Sequence, residues 1–328
     1  MRARKTSAHS GEARSVGISP WLKIAAMVRI MRLRQWSKNI LMLAPLLFAH
    51  QLGDWTKLLS VFLGILFFSL CASATYIWND LSDLHNDRNH PEKKKRPIAA
   101  GVLKPWEVKV QSATLMAAGL IGAFLLGKPC FLMLVLGYVA VTVLYSLYLK
   151  RILIVDVLVL SGLYTYRLFM GASIAAIALS PWLLGFSMFL FLSLAFIKRY
   201  SELSIIKGTN HRVMPGRGYE SRDEPLIVAL GSSAGLVAVL IFALYISSPA
   251  VAQLYRSPEF LWLVCPCLLY WICRMWFLAG RGFIHEDPVV FAISDARSAL
   301  IGALCVILIV LAITCELPDA VKKLIIMP

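Results

Sequence analysis

Charge is scarce in this chain and unevenly spread. Charged residues make up 16% of its 328 positions, against 59% hydrophobic ones. So little polar surface cannot cover so much apolar side chain in water, which excludes an ordinary soluble fold and makes the bilayer the solvent. Cysteine adds no second chemistry. Cys71, Cys130, Cys305 and Cys315 stand alone in apolar runs, and Cys265 and Cys267, with Cys273 on the same predicted helix, are too closely spaced for an ordinary tetrahedral metal clamp. A glycine-rich phosphate loop, a dinucleotide fingerprint and a Ser/His/Asp constellation are also missing. The first 20 residues are basic, with Ser and Gly and no apolar core; they read as a disordered tail, extending to residue 27, and not as a signal peptide.

What the chain does have is a series of apolar runs, at residues 38–50, 58–78, 108–127, 130–148, 153–178, 182–197, 226–248, 259–280 and 297–315. All but the short first one lie near the ~20 residues that cross a hydrocarbon layer. They predict an all-α polytopic membrane protein of about nine helices, a single catalytic domain over 28–320 and a short tail at 321–328. Lysine and arginine set the orientation. Nine fall in the first 38 residues, and seven, two, six and three follow the second, fourth, sixth and eighth runs, 27 on one side against five on the other. By the positive-inside rule the N-terminus and those loops are cytoplasmic, and an odd helix count puts the C-terminus outside a bacterial inner membrane. The net charge of +15 is therefore mostly topology, and no nucleic-acid partner is expected.

Acids appear where the second run ends. Leu58 to Trp78 holds no charged residue, and then come Asn79, Asp80, Asp83 and Asp87 at helical spacing. At about 100° per residue the three aspartates fall within roughly a 60° arc of one face. Mg²⁺ takes hard oxygen ligands, typically one or two carboxylates completed by substrate phosphate oxygens. Arg88, His90, Lys93, Lys94, Lys95 and Arg96 follow at once and supply cations for the outer oxygens of a polyphosphate. Read alone, the basic run is a loop touching anionic lipid, and the acids are a solvated helix end. Acids attached to a membrane-length helix point instead to a functional site.

Further polar residues cluster on the same predicted side. The fourth run ends through Tyr145, Lys150 and Arg151, and the fifth opens at Asp156 and carries Arg167 three turns later, about 16 Å along the axis. An arginine at that depth is expensive unless it faces a polar cavity and an anion. The sixth run ends Lys198-Arg199-Tyr200-Ser201-Glu202-Leu203, where Lys198 and Glu202 are also spaced for a plain i,i+4 ion pair. The loop beyond holds Arg212, a glycine-flanked Arg217 suited to a lid or phosphate contact, and Arg222. Asp287 and Asp295 precede the last run, the second placed equally well to cap its helix.

On these motifs the chain resembles the UbiA superfamily of intramembrane prenyltransferases over residues 28–315. The family's first motif, Asn-Asp-x-x-Asp-x-x-x-Asp, is matched by Asn79, Asp80, Asp83 and Asp87; its second acidic motif is replaced here by Lys198, Arg199 and Glu202. The run from Asp87 to Gly101, the Lys198–Leu203 helix end and the Asp287–Asp295 segment are similar to the family's phosphoribosyl branch. That resemblance implies transfer of 5-phosphoribosyl from 5-phosphoribosyl 1-diphosphate to a polyprenyl (decaprenyl) phosphate, feeding lipid-linked pentose into cell-envelope glycans. It implies Mg²⁺ held by Asp80, Asp83 and Asp87, with Asp156 at ribose hydroxyls. The remaining residues named here, from Asn79, Arg88, Lys93 and Arg96 through Tyr145, Lys150, Arg167, Lys198, Arg199, Glu202 and Arg217 to Asp287 and Asp295, fall to substrate binding. The rivals are an aromatic prenyltransferase, which requires the second acidic cluster, and an anion transporter, which requires inverted repeats that the sequence does not show.

Overall fold

The structure is a computed structural model that describes residues 19–89, 93–207, 216–285 and 287–318. Among these it is all-helical. An amphipathic α1 (Pro20–Ile30) leads into a 3-10 segment (Leu33–Leu43) that continues as α2 (Ala44–Phe48). Then come α3 (Trp55–Ser82), α4 (Leu84–Asn89), α5 (Pro105–Leu125), α6 (Pro129–Leu147), α7 (Val155–Ala175), α8 (Pro181–Lys207) and α9 (Glu224–Ile246). The short α10 (Pro249–Leu254) and α11 (Glu259–Trp262) precede α12 (Val264–Gly280), α13 (Pro288–Ser294) and α14 (Ala296–Thr314).

Among the described residues eight stretches are long and apolar enough to cross a membrane, and they coincide with the last eight apolar runs of the sequence. The first run is the exception in kind. It is built from eleven residues of 3-10 helix at ~2.0 Å each and five of α-helix at ~1.5 Å, a contour length of roughly 30 Å that begins five residues before the apolar run itself.

A three-residue period explains how this segment packs. Trp36, Asn39 and Met42 stack on one face. Trp36 Nε1 donates to Ser73 Oγ at 2.9 Å and Asn39 Nδ2 to Ser69 Oγ at 2.8 Å, because three residues of 3-10 rise and four of α rise are both about 6 Å. Met42 lies against α7 at Gly171, where any Cβ would collide with the Met42 carbonyl. Leu41 and Ala44, one and two turns beyond Lys38, pack into a cluster of Tyr164, Leu168, Phe191, Leu194 and Met275. The segment is thus wedged between α3 on one side and α7 and α13 on the other.

One expectation about the tail needs correcting. Residues 20–27 belong to α1: Pro20 opens the helix, Ala26 and Ile30 bury against Ile77, Ile98, Leu103 and Val108, and Lys23 pairs with Glu107 at 2.9 Å. Apolar residues at helical spacing gave this stretch something to bury. Residues 1–18 and the expected tail at 321–328 lie outside the described residues.

Candidate active site

Three polar clusters gather at the end of the bundle where α3 terminates. The first is the acid row, and it does not lie on one unbroken helix. α3 stops at Ser82, Asp83 occupies the junction, and α4 begins at Leu84, although Asp83 N–H still donates to the Asn79 carbonyl and Asp87 N–H to that of Asp83, both at 2.9 Å. The consequence is a division of labour. Asp80 and Asp87 are buried and share a single nitrogen, Arg96 Nη1, at 2.8 and 2.7 Å. Arg32, which sequence reasoning counted only as a topology charge, approaches Asp80 at 2.5 Å. Asp83 turns away, receiving Asn79 Nδ2 and Lys150 Nζ, each at 3.4 Å. Arg88 is exposed on α4, and the Lys93 side chain and His90 lie outside the described residues.

This donor set suits Mg²⁺. Carboxylate oxygens of Asp80 and Asp87 already converge on one cationic point, the position of Arg96 Nη1. Mg²⁺ takes one or two protein carboxylates and fills its shell with phosphate oxygens and water; no group of three or more ligating side chains assembles among the described residues.

The second cluster is built around Asp156, in the first turn of α7 and fully buried. Arg199 Nε lies 2.8 Å from its Oδ2, while Arg217 Nη1 and Tyr145 Oη both reach its Oδ1 at 2.7 Å. Glu202 pairs with Arg199 and, at 3.5 Å, with Arg217. The i,i+4 pairing of Lys198 with Glu202 is therefore not what forms, since Glu202 turns to the two arginines. Arg217 comes from a strap, residues 216–220, laid over the start of α7. Gly218 is required there, as a Cβ would sit 2.8 Å from the Arg151 carbonyl, and Ile154 N–H donates to Tyr219 Oη at 3.3 Å. Burial disfavours the Arg217 charge, but Glu202, Tyr145 and Asp156 more than offset it and hold the guanidinium firmly protonated. Burial pushes the Tyr219 phenol up to about 12. Arg212 lies outside the described residues.

The third cluster centres on Asp287, cap of α13. Lys38 Nζ at 2.7 Å and Lys198 Nζ at 3.2 Å meet its Oδ2, while Tyr164 Oη at 2.7 Å and Val289 N–H at 3.2 Å donate to its Oδ1. Burial alone pushes this carboxyl up, yet the two lysines outweigh it and hold the group far below the usual carboxylate range. Beneath it Arg167 is buried, donating to Asn39 Oδ1 at 2.9 Å, to Tyr138 Oη at 3.2 Å and to the Leu163 carbonyl, with the rings of Phe68, Tyr138 and Tyr164 within 5.6 Å. Lys198 and Arg199, adjacent on α8, join the second and third clusters.

Asp295 stands apart. Both its oxygens bind Arg274, at 2.7 and 3.0 Å, and it caps α14 through Ser298 N–H at 2.8 Å. The structure gives it an anchoring role, the alternative that its position before the last helix already allowed. The residues that sequence reasoning missed are Lys38, Arg32, Asn39 and Tyr164. Their one sequence signal was a Lys-Asn pair at the mouth of an apolar run and a tyrosine one turn before Arg167.

A helical membrane bundle in which the second apolar run ends in acids and the sixth in cations defines a class of lipid-modifying enzyme, and comparison with known proteins agrees. Residues 40–291 match the UbiA prenyltransferase family, and the chain belongs to it. It is 38% identical over 275 residues to an uncharacterized protein, y4nM, of Sinorhizobium fredii, covering 84% of this chain and 53% of that one, so the chain spans about half of that relative. It is 34% identical to the nodulation protein NoeC of Azorhizobium caulinodans, over 81% of this chain and 86% of that one. To a decaprenyl-phosphate phosphoribosyltransferase of Mycobacterium tuberculosis it is also 34% identical, over 68% of this chain and 74% of that one. In fold it is similar to a UbiA homolog of Archaeoglobus fulgidus bound to DMAPP and Mg²⁺, with a TM-score of 0.64 at 16% identity, over 87% of this chain and 99% of that one.

Proposed function

We propose that the chain transfers 5-phosphoribosyl from 5-phosphoribosyl 1-diphosphate to a polyprenyl phosphate, such as decaprenyl phosphate, releasing diphosphate and supplying lipid-linked pentose for cell-envelope glycans. The observation that carries this reading is the asymmetry of the site. Carboxylates converge at the end of α3, whereas the end of α8 carries two cations, a partly exposed Lys198 and a buried Arg199 paired with Asp156, with Glu202 engaged by arginines. A prenyl diphosphate bridged by metals calls for carboxylates on both helix ends; a cationic wall suits phosphates bound directly. The likeness to a decaprenyl-phosphate phosphoribosyltransferase supports the same reading.

The chemistry follows from the residues. The bond from ribose C1 to the diphosphate breaks, an oxocarbenium-like centre develops, and an oxygen of the lipid phosphate forms the new bond to C1. The main demand is to stabilise the departing diphosphate. Asp80 and Asp87 would hold Mg²⁺, with Asp83 turned toward Lys150, and the bound ion would neutralise charge building on the leaving group. Arg96 and Arg32, already at those carboxylates, take outer phosphate oxygens. Asp156, oriented by Arg199, Arg217 and Tyr145, faces the ribose hydroxyls. The lipid phosphate is ionised near neutral pH and needs no strong base. By the lysine and arginine distribution the protein sits in a bacterial inner membrane with its N-terminus and this site cytoplasmic and its C-terminus outside.

The test is an assay of the purified protein with labelled phosphoribosyl diphosphate and short polyprenyl phosphates. The expected product is a lipid-linked phosphoribose. Prenylation of 4-hydroxybenzoate from geranyl or farnesyl diphosphate, with no lipid-linked phosphoribose, would overturn the reading.

A further inference from the structure

The charges of the third cluster do not balance. Lys38, Lys198 and Arg167 surround one carboxylate, Asp287, whose oxygens are already taken up by two lysines, a phenol and a backbone N–H. Arg167 meets only neutral partners among the described residues: an amide, a phenol, a carbonyl and three rings. The Tyr164 ring has two cations near it, Lys38 Nζ at 5.4 Å and Arg167 Cζ at 5.3 Å from its centroid. Surplus positive charge among the buried side chains of Leu168, Phe191, Leu194 and Met275 is costly to keep, and an arriving anion removes that cost. The Lys198 side chain is 28% exposed and that of Lys38 8%, so the cluster opens on the Lys198 side.

At the other end of the same elements lies a cavity of about 310 Å³, lined by Pro45, Phe48, Ile177, Trp182, Leu183 and Phe186 among others. Pro45 and Phe48 continue the 3-10 segment that carries Lys38. Ile177 follows α7, which carries Tyr164 and Arg167, and the last three residues lie on α8, which carries Lys198. From Lys198 to Phe186 is twelve residues, or about 18 Å of helix. A cationic seat and an apolar cavity joined by three shared elements fit one amphiphile, a phosphomonoester with a long hydrocarbon tail. A soluble sugar phosphate uses the first and has no use for the second.

We propose, resting on the phosphoribosyl-transfer reading, that Lys38 and Lys198 seat the phosphate of the polyprenyl acceptor, with Arg167 behind them, and that its tail runs along the 3-10 segment, α7 and α8 to the cavity by Trp182 and Phe186. Lys38 is then a substrate-binding residue, and the acid row is left to the donor.

The experiment photo-crosslinks the full-length protein in detergent with a polyprenyl phosphate that carries a diazirine on its tail about 18 Å from the phosphate, without donor. Adducts are expected on the Trp182–Phe186 stretch, competed by unlabelled polyprenyl phosphate. In transfer assays Lys38→Ala and Lys198→Ala should each raise the acceptor KM by about tenfold to a hundredfold, the range of one charge-assisted hydrogen bond, with the donor KM unmoved. Lys38→Arg should recover part of the loss. Adducts confined to other helices, or a rise in donor KM alone, would overturn the site. Since wild-type crosslinking needs no variant, a Lys38→Ala protein that fails to fold leaves the test intact. The two claims separate cleanly: competed adducts at the cavity without any phosphoribosyl transfer sink the reaction and leave the lipid-phosphate site standing, while transfer with adducts elsewhere does the reverse.

Discussion

Asp156→Asn changes one oxygen to nitrogen at the most enclosed charge in the site. The carboxylate is fully buried and has Arg199 on one oxygen and Arg217 with Tyr145 on the other, all within 2.8 Å. Whichever way the asparagine amide turns, its NH₂ faces an arginine donor, and the charge that both guanidinium groups lean on is gone. Removing one partner of a buried pair costs roughly 3–5 kcal/mol. Glu202 remains within reach of both arginines, so the lower end applies, about 3 kcal/mol. For a chain of this size that lowers the melting temperature by something like 5 °C. The assay is melting in detergent followed by intrinsic fluorescence, with Arg217→Ala and the double variant completing a cycle. Contact between the two residues predicts a coupling of about 1–3 kcal/mol. A melting temperature equal to that of the unaltered protein, or strictly additive effects of the two changes, would refute the account of Asp156 as the hub that ties the strap and α8 to α7.

Asp80→Asn should raise the Mg²⁺ concentration needed for half-maximal transfer more than Asp83→Asn does, because Asp80 shares its cation position with Asp87 whereas Asp83 looks toward Lys150; equal Mg²⁺ titrations would show that the junction at Asp83 has no bearing on the site. Gly218→Ala should lower activity, with a smaller drop in melting temperature than Asp156→Asn, since its methyl group would press on the Arg151 carbonyl and lift Arg217 from its partners; full activity would dissociate the strap from catalysis. Asp295 is held at about 2, below the ordinary 3.8, by its hydrogen bonds to Arg274 and then to Ser298. Its contribution to stability is therefore present above about pH 4 and lost as pH falls toward 2. The melting temperature of Asp295→Asn should fall less than that of the unaltered protein over that window, and parallel pH curves would count against the anchor.

Hydropathy made the crossing helices legible, because a run such as Leu58 to Trp78 has no other physical use. The spacing of Asp80 and Asp87 likewise placed them on the same face as found, and the cations at Lys198 and Arg199 announced a departure from a doubly acidic site. Lys38 was illegible for a specific reason: a lysine at the start of a membrane run is also what sets topology, and only its 2.7 Å approach to Asp287, 249 positions away, tells the two roles apart. The partners of Glu202 were illegible in the same way, since i,i+4 spacing allowed Lys198 while arginines from α8 and the strap compete successfully. Asp83 fell within the expected arc, but the break after Ser82 redirected its side chain, and nothing in the local sequence marks that break.

The 3-10 segment also sets a rule for how this chain can vary in length. With three residues per turn, one inserted or deleted residue before Lys38 turns everything on one side of the change by about 120° relative to the other. If the change falls between Trp36 and Lys38, either Trp36 or Lys38, Asn39 and Leu41 together would then be carried off their partners. Three inserted residues restore the faces but shift the register by about 6 Å, which takes Asn39 past Ser69 and Lys38 past Asp287 together. Chains that keep both pairings should therefore be free to gain or lose residues before Arg32 or beyond Phe48, and not between them.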